Sequence, residues 1–228
     1  MAITTVVFDA YGTLFDVAAA ARIAAAEPGQ HRLAEVWPRL AEDWRRKQLE
    51  YTWLRTITRQ YADFAQITAD GLDWAMAAQG LSDPDLRARL LALYDRLPAY
   101  PEAAATLTAL RAAGFATAIL SNGTQSMLAS AVAAAGLEAQ FDAVLSVEAV
   151  ASYKPSAQVY DLVGQRFGCA PHQVLFVSAN GWDVAGAAGF GFVTVWVNRA
   201  GLPQDRLANA PAFERPDLTS IPELAASL

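Results

Sequence analysis

The sequence predicts an α/β protein, a doubly wound parallel sheet with a helical cap inserted after its first strand. Three observations predict it. From about Pro98 onward, short apolar runs alternate with helical patterns. The first strand, ending Val6-Val7-Phe8-Asp9, delivers one carboxylate to a turn marked by Gly12 and Thr13. Between the two lies a stretch rich in Ala, Leu, Arg and Trp, helical in pattern and without a strand.

Residues 4–8 are expected as the first strand, and their unbroken Val/Phe run indicates burial on both faces of a parallel sheet. Residues 16–97 are expected to be helical, a cap over the strand ends that closes a site from water. Further strands are expected at residues 116–120, 143–147, 174–177 and 193–197, with helices at 101–113, 125–135, 157–167 and 183–189. Gly114 and Gly136 each mark a helix end, and Pro155 suits the first turn of the helix that follows it. The Ala-rich stretches at 18–26 and 129–135 read as close-packing helices. Beyond Arg199, four prolines (Pro203, Pro211, Pro216, Pro222) indicate a loop leading into a short terminal helix. The predicted division is a Rossmann-like core, residues 1–15 and 98–228, with the cap at residues 16–97. Ligands of such sheets bind beyond the carboxyl ends of the strands.

The 228 residues are 54% hydrophobic and 18% charged, as expected of a compact globular chain. The formal charge is -6 and the basic residues are scattered. Their densest cluster, Arg45-Arg46-Lys47, sits in a helical pattern beside Glu42, Asp43 and Glu50. That argues against nucleic acid as a partner, and Arg46 and Lys47 read as solvated helix charges. An anionic substrate remains compatible, because one local arginine outweighs a diffuse field. The single cysteine, Cys169, excludes an internal disulfide and a Cys-based zinc site, and reads as a small packing residue. With only His31 and His172, both read as surface residues, histidine-rich metal chemistry is excluded too. No signal peptide precedes the first strand and no apolar run reaches membrane-span length, so a cytoplasmic protein without a membrane partner is expected.

Each predicted strand end carries polar residues. The first presents Asp9, Tyr11 and Thr13; the second Ser121-Asn122-Gly123; next comes Tyr153-Lys154-Pro155; the fourth gives Ser178-Ala179-Asn180-Gly181-Trp182-Asp183. A buried strand end holds Asp9 rigidly, and Gly12 allows a sharp turn whose N–H groups face a ligand, an arrangement suited to an aspartate nucleophile. Taken singly, Asp9 has a considerable chance of being only a turn cap, and Ser121-Asn122-Gly123 is more often an ordinary turn than a binding loop. Arg45 and Lys154 read as solvated charges, Phe64, Trp182, Trp44 and Trp53 as core aromatics, and Tyr160 as packing on the sheet. Joint occurrence in order at successive strand ends favours a site for Asp9, Ser121, Lys154 and Asp183. Trp44 and Trp53 remain assigned to the core.

The order and spacing of these elements resemble the haloacid dehalogenase superfamily over essentially the whole chain. Asp9, Ser121, Lys154 and Asp183 fit its four motifs. The resemblance narrows to the L-2-haloacid dehalogenases at Phe8-Asp9-Ala10-Tyr11-Gly12-Thr13-Leu14-Phe15-Asp16, at Lys47-Gln48-Leu49-Glu50-Tyr51-Thr52-Trp53-Leu54-Arg55, at Leu120-Ser121-Asn122-Gly123 and at the fourth segment. Phosphatases of the superfamily carry an acid two residues after the nucleophile, where this chain has Tyr11. A departing halide needs no proton, so an acid there would have no task. Ser178 and Asn180 also make the fourth segment poorer in carboxylates than a magnesium site, and no metal or other cofactor is expected.

The resemblance implies that Asp9 attacks carbon-2 of an (S)-2-haloacid with inversion, forming an ester that water then cleaves to the (R)-2-hydroxy acid. It implies that Ser121 and the N–H groups of Ala10 and Tyr11 hold the substrate carboxylate, with Thr13 bracing the turn. Arg45 and Asn122 would receive the halide between apolar walls from Phe64 and Trp182. Lys154 would pair with Asp9 and Asp183. Asp183, helped by Ser178 and Asn180, would direct the water, and Tyr160 would complete the polar network. A homodimer is the family expectation. Two alternatives are a metal-dependent phosphatase of the same superfamily and a catalytically silent protein that binds small carboxylates.

Overall fold

The computed structural model describes residues 2–228. Five strands follow the apolar runs: β1 (Thr5–Phe8), β2 (Ala116–Ser121), β3 (Ala143–Ser146), β4 (Val174–Ser178) and β5 (Val193–Val197). A sixth, β6 (Phe213–Arg215), lies in the segment expected as loop. It is three residues long, partly exposed throughout, and pairs with β5 at the sheet edge. Such a strand has no buried apolar run, so hydrophobic periodicity does not reveal it.

All the strand pairs are parallel, in the order β3-β2-β1-β4-β5-β6. β1 is central, with Val7 beside Ala118 of β2 and Phe176 of β4. Every residue of β1 and β4 is buried, as parallel strands covered on both faces require. The chain builds outward through β2 and β3, then crosses back to β4. The order therefore reverses beside β1, and the crevice at the carboxyl ends of β1 and β4 is the switch point where such sheets take ligands.

Between β1 and β2 come α1 (Ala19–Ala25), α2 (His31–Thr58), α3 (Phe64–Ala78), α4 (Pro84–Tyr94) and α5 (Ala103–Ala112). The remaining helices are α6 (Gln125–Ala134), α7 (Ala157–Phe167), α8 (Gly181–Phe190) and α9 (Ile221–Ser227). Side chains cap several starts: Asp63 accepts from Gln66 N–H (2.8 Å), Asp83 from Leu86 N–H (3.0 Å) and Thr124 from Met127 N–H (3.1 Å). α1 packs on α2 and α4, and α3 on α2. The buried stripe of α2 runs Leu33, Leu40, Trp44, Gln48 and Thr52. The chain leaves the sheet and returns to it at one place, because Asp16 N–H donates to Pro98 O (3.0 Å) and Tyr100 N–H to Leu14 O (2.8 Å).

Pro155 departs from expectation. Ser156 N–H donates to Tyr153 O at 3.0 Å, closing a separate turn that contains the cis Lys154–Pro155 bond. α7 begins only at Ala157, so Pro155 precedes the helix rather than opening it. Among the described residues, no helix is long and apolar enough to cross a membrane.

Candidate active site

β1 places Asp9 at the switch-point crevice, where Asp9 N–H donates to Val177 O of β4 at 2.9 Å. Gly12, at φ +90°, turns the chain sharply, a conformation L side chains resist. The turn closes on itself: Leu14 and Phe15 N–H both donate to Ala10 O (2.9 and 3.0 Å), and Gly12 N–H donates to Phe15 O (2.8 Å). These bonds do not use the N–H groups of Ala10 and Tyr11, which keeps two adjacent donors beside Asp9 for an anion.

Both Asp9 oxygens are held. Oδ2 accepts from Thr13 Oγ1 (3.0 Å) and Asn180 Nδ2 (2.8 Å), and Oδ1 accepts from Lys154 Nζ (3.1 Å). Thr13 in turn accepts from Ala179 N–H (2.8 Å), which ties the β1 turn to the loop after β4. Lys154 Nζ also donates to Asp183 Oδ2 at 2.7 Å, so one buried ammonium bridges two carboxylates. Asp183, in the first turn of α8, further accepts from Ser178 Oγ (3.2 Å) and Tyr160 Oη (2.8 Å). Ser178 Oγ is itself oriented by Asn180 N–H (3.1 Å).

The electrostatics follow from burial. Burial works against the Lys154 ammonium, but the Asp183 and Asp9 carboxylates outweigh it and hold its pKa above the usual value. Burial pushes the Asp183 carboxyl up, to about 6, against the Lys154 charge, with Asp9 adding to the rise. The Tyr160 phenol is raised by burial and then by Asp183, so it remains a neutral donor.

Arg45 reaches this centre from α2. Its Nη2 donates to Tyr11 O and to Asn180 Oδ1, both at 3.2 Å. Asn122 is buried, and its Oδ1 accepts from Lys154 N–H at 3.1 Å. Ser121 ends β2 fully buried, its Oγ accepting from Gly123 N–H at 3.1 Å. Phe64, the first residue of α3, is buried with its ring 5.6 Å from that of Tyr11. Tyr160 sits behind Asp183 rather than in the crevice. Its ring is buried against Phe176, Phe190 and Phe192, and its hydroxyl approaches α8 where Gly186 leaves room, since a Cβ there would lie 2.6 Å from it.

Two assignments from sequence need correction. Trp53 is half-buried rather than core, its ring edge-on to Trp182 at 5.4 Å and its indole N–H without an acceptor. Lys47 is not a solvated charge. Glu50 one turn on accepts from its ammonium (2.9 Å), and Trp74 of α3 covers it at 4.5 Å, leaving the side chain 13% exposed. Arg46 remains exposed, paired with Asp43 at 2.8 Å. Trp44 is buried; Cys169 is half-buried against the core, and His31 and His172 are exposed. Sequence reasoning missed Arg199, whose Nη2 donates to Thr13 O (3.1 Å) and whose Nη1 meets Glu102 (2.6 Å). It braces the turn after Asp9 from behind, and no local pattern around Arg199 signals those remote partners.

Among the described residues, no three His, Cys, Asp or Glu side chains are grouped to hold a metal ion. The two carboxylates of the crevice converge on an ammonium instead.

A parallel α/β sheet with an aspartate held at its switch point, and a second carboxylate bridged to it, defines an enzyme with a buried carboxylate centre. The model of the haloacid dehalogenase-like hydrolases matches residues 3–191. The chain is 44% identical over 219 residues to (S)-2-haloacid dehalogenase 1 of Pseudomonas sp. (strain CBS-3), covering 96% of this chain and 94% of that one. It is 45% identical over 200 residues to (S)-2-haloacid dehalogenase 4A of Burkholderia cepacia, covering 87% and 84%. The structure of the Xanthobacter autotrophicus L-2-haloacid dehalogenase with chloropropionic acid covalently bound superposes with a TM-score of 0.88, at 39% identity and 99% coverage of both chains. This chain belongs to the haloacid dehalogenase-like hydrolases.

Proposed function

We propose that the protein hydrolyses (S)-2-haloacids to (R)-2-hydroxy acids through an ester on Asp9, with residues 16–97 acting as the cap. The observation that carries this reading is Arg45. A guanidinium supplied by α2 beside Tyr11 and Asn180 suits a departing anion, while the position two residues after Asp9 offers no acid for a leaving alcohol. Tyr11 is a poor acid here, because burial raises its phenol well above the usual range.

In the first step an Asp9 oxygen attacks carbon-2 from the side opposite the halogen. The carbon–oxygen bond forms as the carbon–halogen bond breaks, and the halide leaves with its electron pair toward Arg45 and Asn122. Ser121 and the Ala10 and Tyr11 N–H groups hold the substrate carboxylate, which would otherwise repel Asp9. Phe64 and Trp182 keep the halide cradle apolar. In the second step Asp183 takes a proton from water, whose oxygen attacks the ester carbonyl of Asp9. As the adduct collapses, the bond from that carbonyl to the carbon-2 oxygen breaks. The proton held by Asp183 passes to the departing oxygen to give the hydroxy acid, and the proton left on the Asp9 carboxyl goes to solvent. Thr13, Asn180 and Lys154 hold the Asp9 oxygens, while Ser178, Lys154 and Tyr160 position Asp183. The donor set gives a metal no step in this scheme.

Halide release from the separate enantiomers of 2-chloropropionate, run in EDTA, tests the reading. Chloride from the (S) form alone, with (R)-lactate as product, supports it. Absence of chloride together with magnesium-dependent hydrolysis of a phosphate ester replaces it with the phosphatase reading.

The Tyr11 side chain offers a second check. Its hydroxyl is buried with no partner, while its ring stacks on Tyr94 at 5.5 Å. Tyr11→Phe keeps the ring and the backbone donor and removes an unsatisfied group that costs about 1–3 kcal/mol. The variant is expected to release halide as the wild type does and to melt several degrees higher by calorimetry. A lower melting temperature would show that the hydroxyl has a partner.

The protein is also read as a cytoplasmic homodimer. Support for the dimer comes from large apolar side chains left exposed on the cap helices, Leu54 of α2 at 50% and Trp74 of α3 at 38%.

A further inference from the structure

Arg199 lies just beyond β5, at the carboxyl ends of the strands. Three segments meet at its head. Nη2 donates to Thr13 O at 3.1 Å, Nη1 pairs with Glu102 at 2.6 Å, and the guanidinium lies over the Tyr100 ring, 3.7 Å from its centre. The side chain is 22% exposed, and its Nε is buried without an acceptor. The head is therefore placed by Thr13, Glu102 and Tyr100, and not by full pairing of its own donors. A planar fork with a stacking face suits two oxygens and a ring at once, as a compact ammonium does not. Thr13 is fully buried, and each of its polar groups is engaged. Its N–H donates to Ala10 O (3.3 Å), and its hydroxyl donates to Asp9 Oδ2 (3.0 Å) and accepts from Ala179 N–H (2.8 Å). Its carbonyl takes the Arg199 arm, so Arg199 holds Thr13 from outside both the Asp9 turn and the loop after β4. The other arm is anchored where the chain re-enters the core: Tyr100 N–H donates to Leu14 O (2.8 Å), and Glu102 directly precedes α5.

We propose that Arg199 is a positioning residue for the attack on carbon-2, acting through Thr13 to set the plane of the Asp9 carboxylate. The inference rests on the dehalogenase reading above. Asp9 must present an oxygen in line with the carbon–halogen bond, and rotation of its carboxylate moves that oxygen off the line. The Thr13 hydroxyl resists this rotation only while its own backbone is held, and Arg199 supplies the hold. Misplacing a reacting atom by about 1 Å costs up to about 100-fold in rate.

The test is chloride release from (S)-2-chloropropionate with enzyme in excess, which reads the first step alone. Arg199→Met keeps an unbranched chain beside Tyr100 and removes both donors. It is expected to slow the saturated rate about 10- to 100-fold and to leave the half-saturating enzyme concentration unchanged. Thr13→Val removes the hydroxyl, and adding Arg199→Met to it should slow the step no further, because nothing is left to position. An arginine that served the fold alone would give two effects that multiply. Glu102→Ala frees the other arm without removing a cap bond from α5, since the Glu102 side chain makes none. Alone it should slow the same step by a smaller factor, and again not in the Thr13→Val background, so it carries the test if Arg199→Met does not fold. A wild-type rate in folded Arg199→Met or in Glu102→Ala overturns the proposal and leaves the dehalogenase reading standing. Effects that multiply with Thr13→Val, or a weakened half-saturation at an unchanged saturated rate, overturn it as well. No chloride from the wild type overturns both readings together.

Discussion

Asp9→Asn is expected to abolish halide release, lowering kcat by at least about 10⁴-fold, the scale on which loss of a covalent nucleophile acts. The amide is nearly isosteric with the carboxylate, so the fold should persist. Thr13 Oγ1 and Asn180 Nδ2 both donate to Asp9 Oδ2, and the amide oxygen can accept from them in the same place. That orientation turns the amide N–H group toward the Lys154 ammonium, formerly 3.1 Å from a carboxylate oxygen. Lys154 keeps Asp183 as its counter-charge, so the loss of stability should be modest. Chloride measured under single-turnover conditions separates the cases. Any burst approaching one equivalent per site in Asp9→Asn would show that another group attacks carbon-2.

Asp183→Asn is expected to fail later. Asp9 and its immediate partners remain, so halide should appear once per site, after which turnover stops with the ester still attached to Asp9. Steady-state kcat should fall about 10²–10⁴-fold, the usual contribution of a positioned general base. Intact-protein mass spectrometry should find the chain heavier by the acyl group. A full steady-state rate in this variant would remove Asp183 from the hydrolytic step. The same carboxylate is expected to set a pH limit in the wild type. Burial raises its pKa, to about 6, and only the ionised form can take a proton from water. Ester hydrolysis should therefore decline as the pH falls through about 6, with the dependence of a single proton, and be fully present above it. A pH-independent hydrolysis rate from pH 5 to 8 would contradict the assignment.

The parts of this architecture that were legible in sequence share a physical cause. β1, β2, β4 and β5 are buried on both faces, so their apolar runs are unbroken and their ends are marked by abrupt polarity. Asp9, Ser121 and Ser178 stand at those ends, and Lys154 and Asp183 follow in short loops and a helix start with turn-forming neighbours. The illegible parts depend on partners far away in the chain. β6 exists because β5 offers an open edge, and three half-exposed residues carry no pattern of their own. Trp53 and Trp44 occupy one helix with similar surroundings in sequence, yet Trp44 faces α3 and Trp53 faces Trp182. Lys47 is covered by a tryptophan on the next helix, and Arg199 reaches back to Thr13 from the other end of the chain. Arg45 is intermediate: a helical arginine like its neighbours, it is distinguished only when α2 is laid over the strand ends.

The Asp9–Lys154–Asp183 bridge joins groups separated by 145 and 29 residues along the chain, and Asn180 reaches Asp9 across 171. Contacts of such sequence separation are the slow ones to form, because loop-closure entropy must be met before they stabilise anything. No hairpin or other short fragment of the chain contains even the first pair. The centre therefore comes into being only when β1, β4 and the segment between them are already in register. During refolding, recovery of turnover should trail recovery of helical signal, and a nascent chain should acquire activity only after Asp183 has emerged and docked.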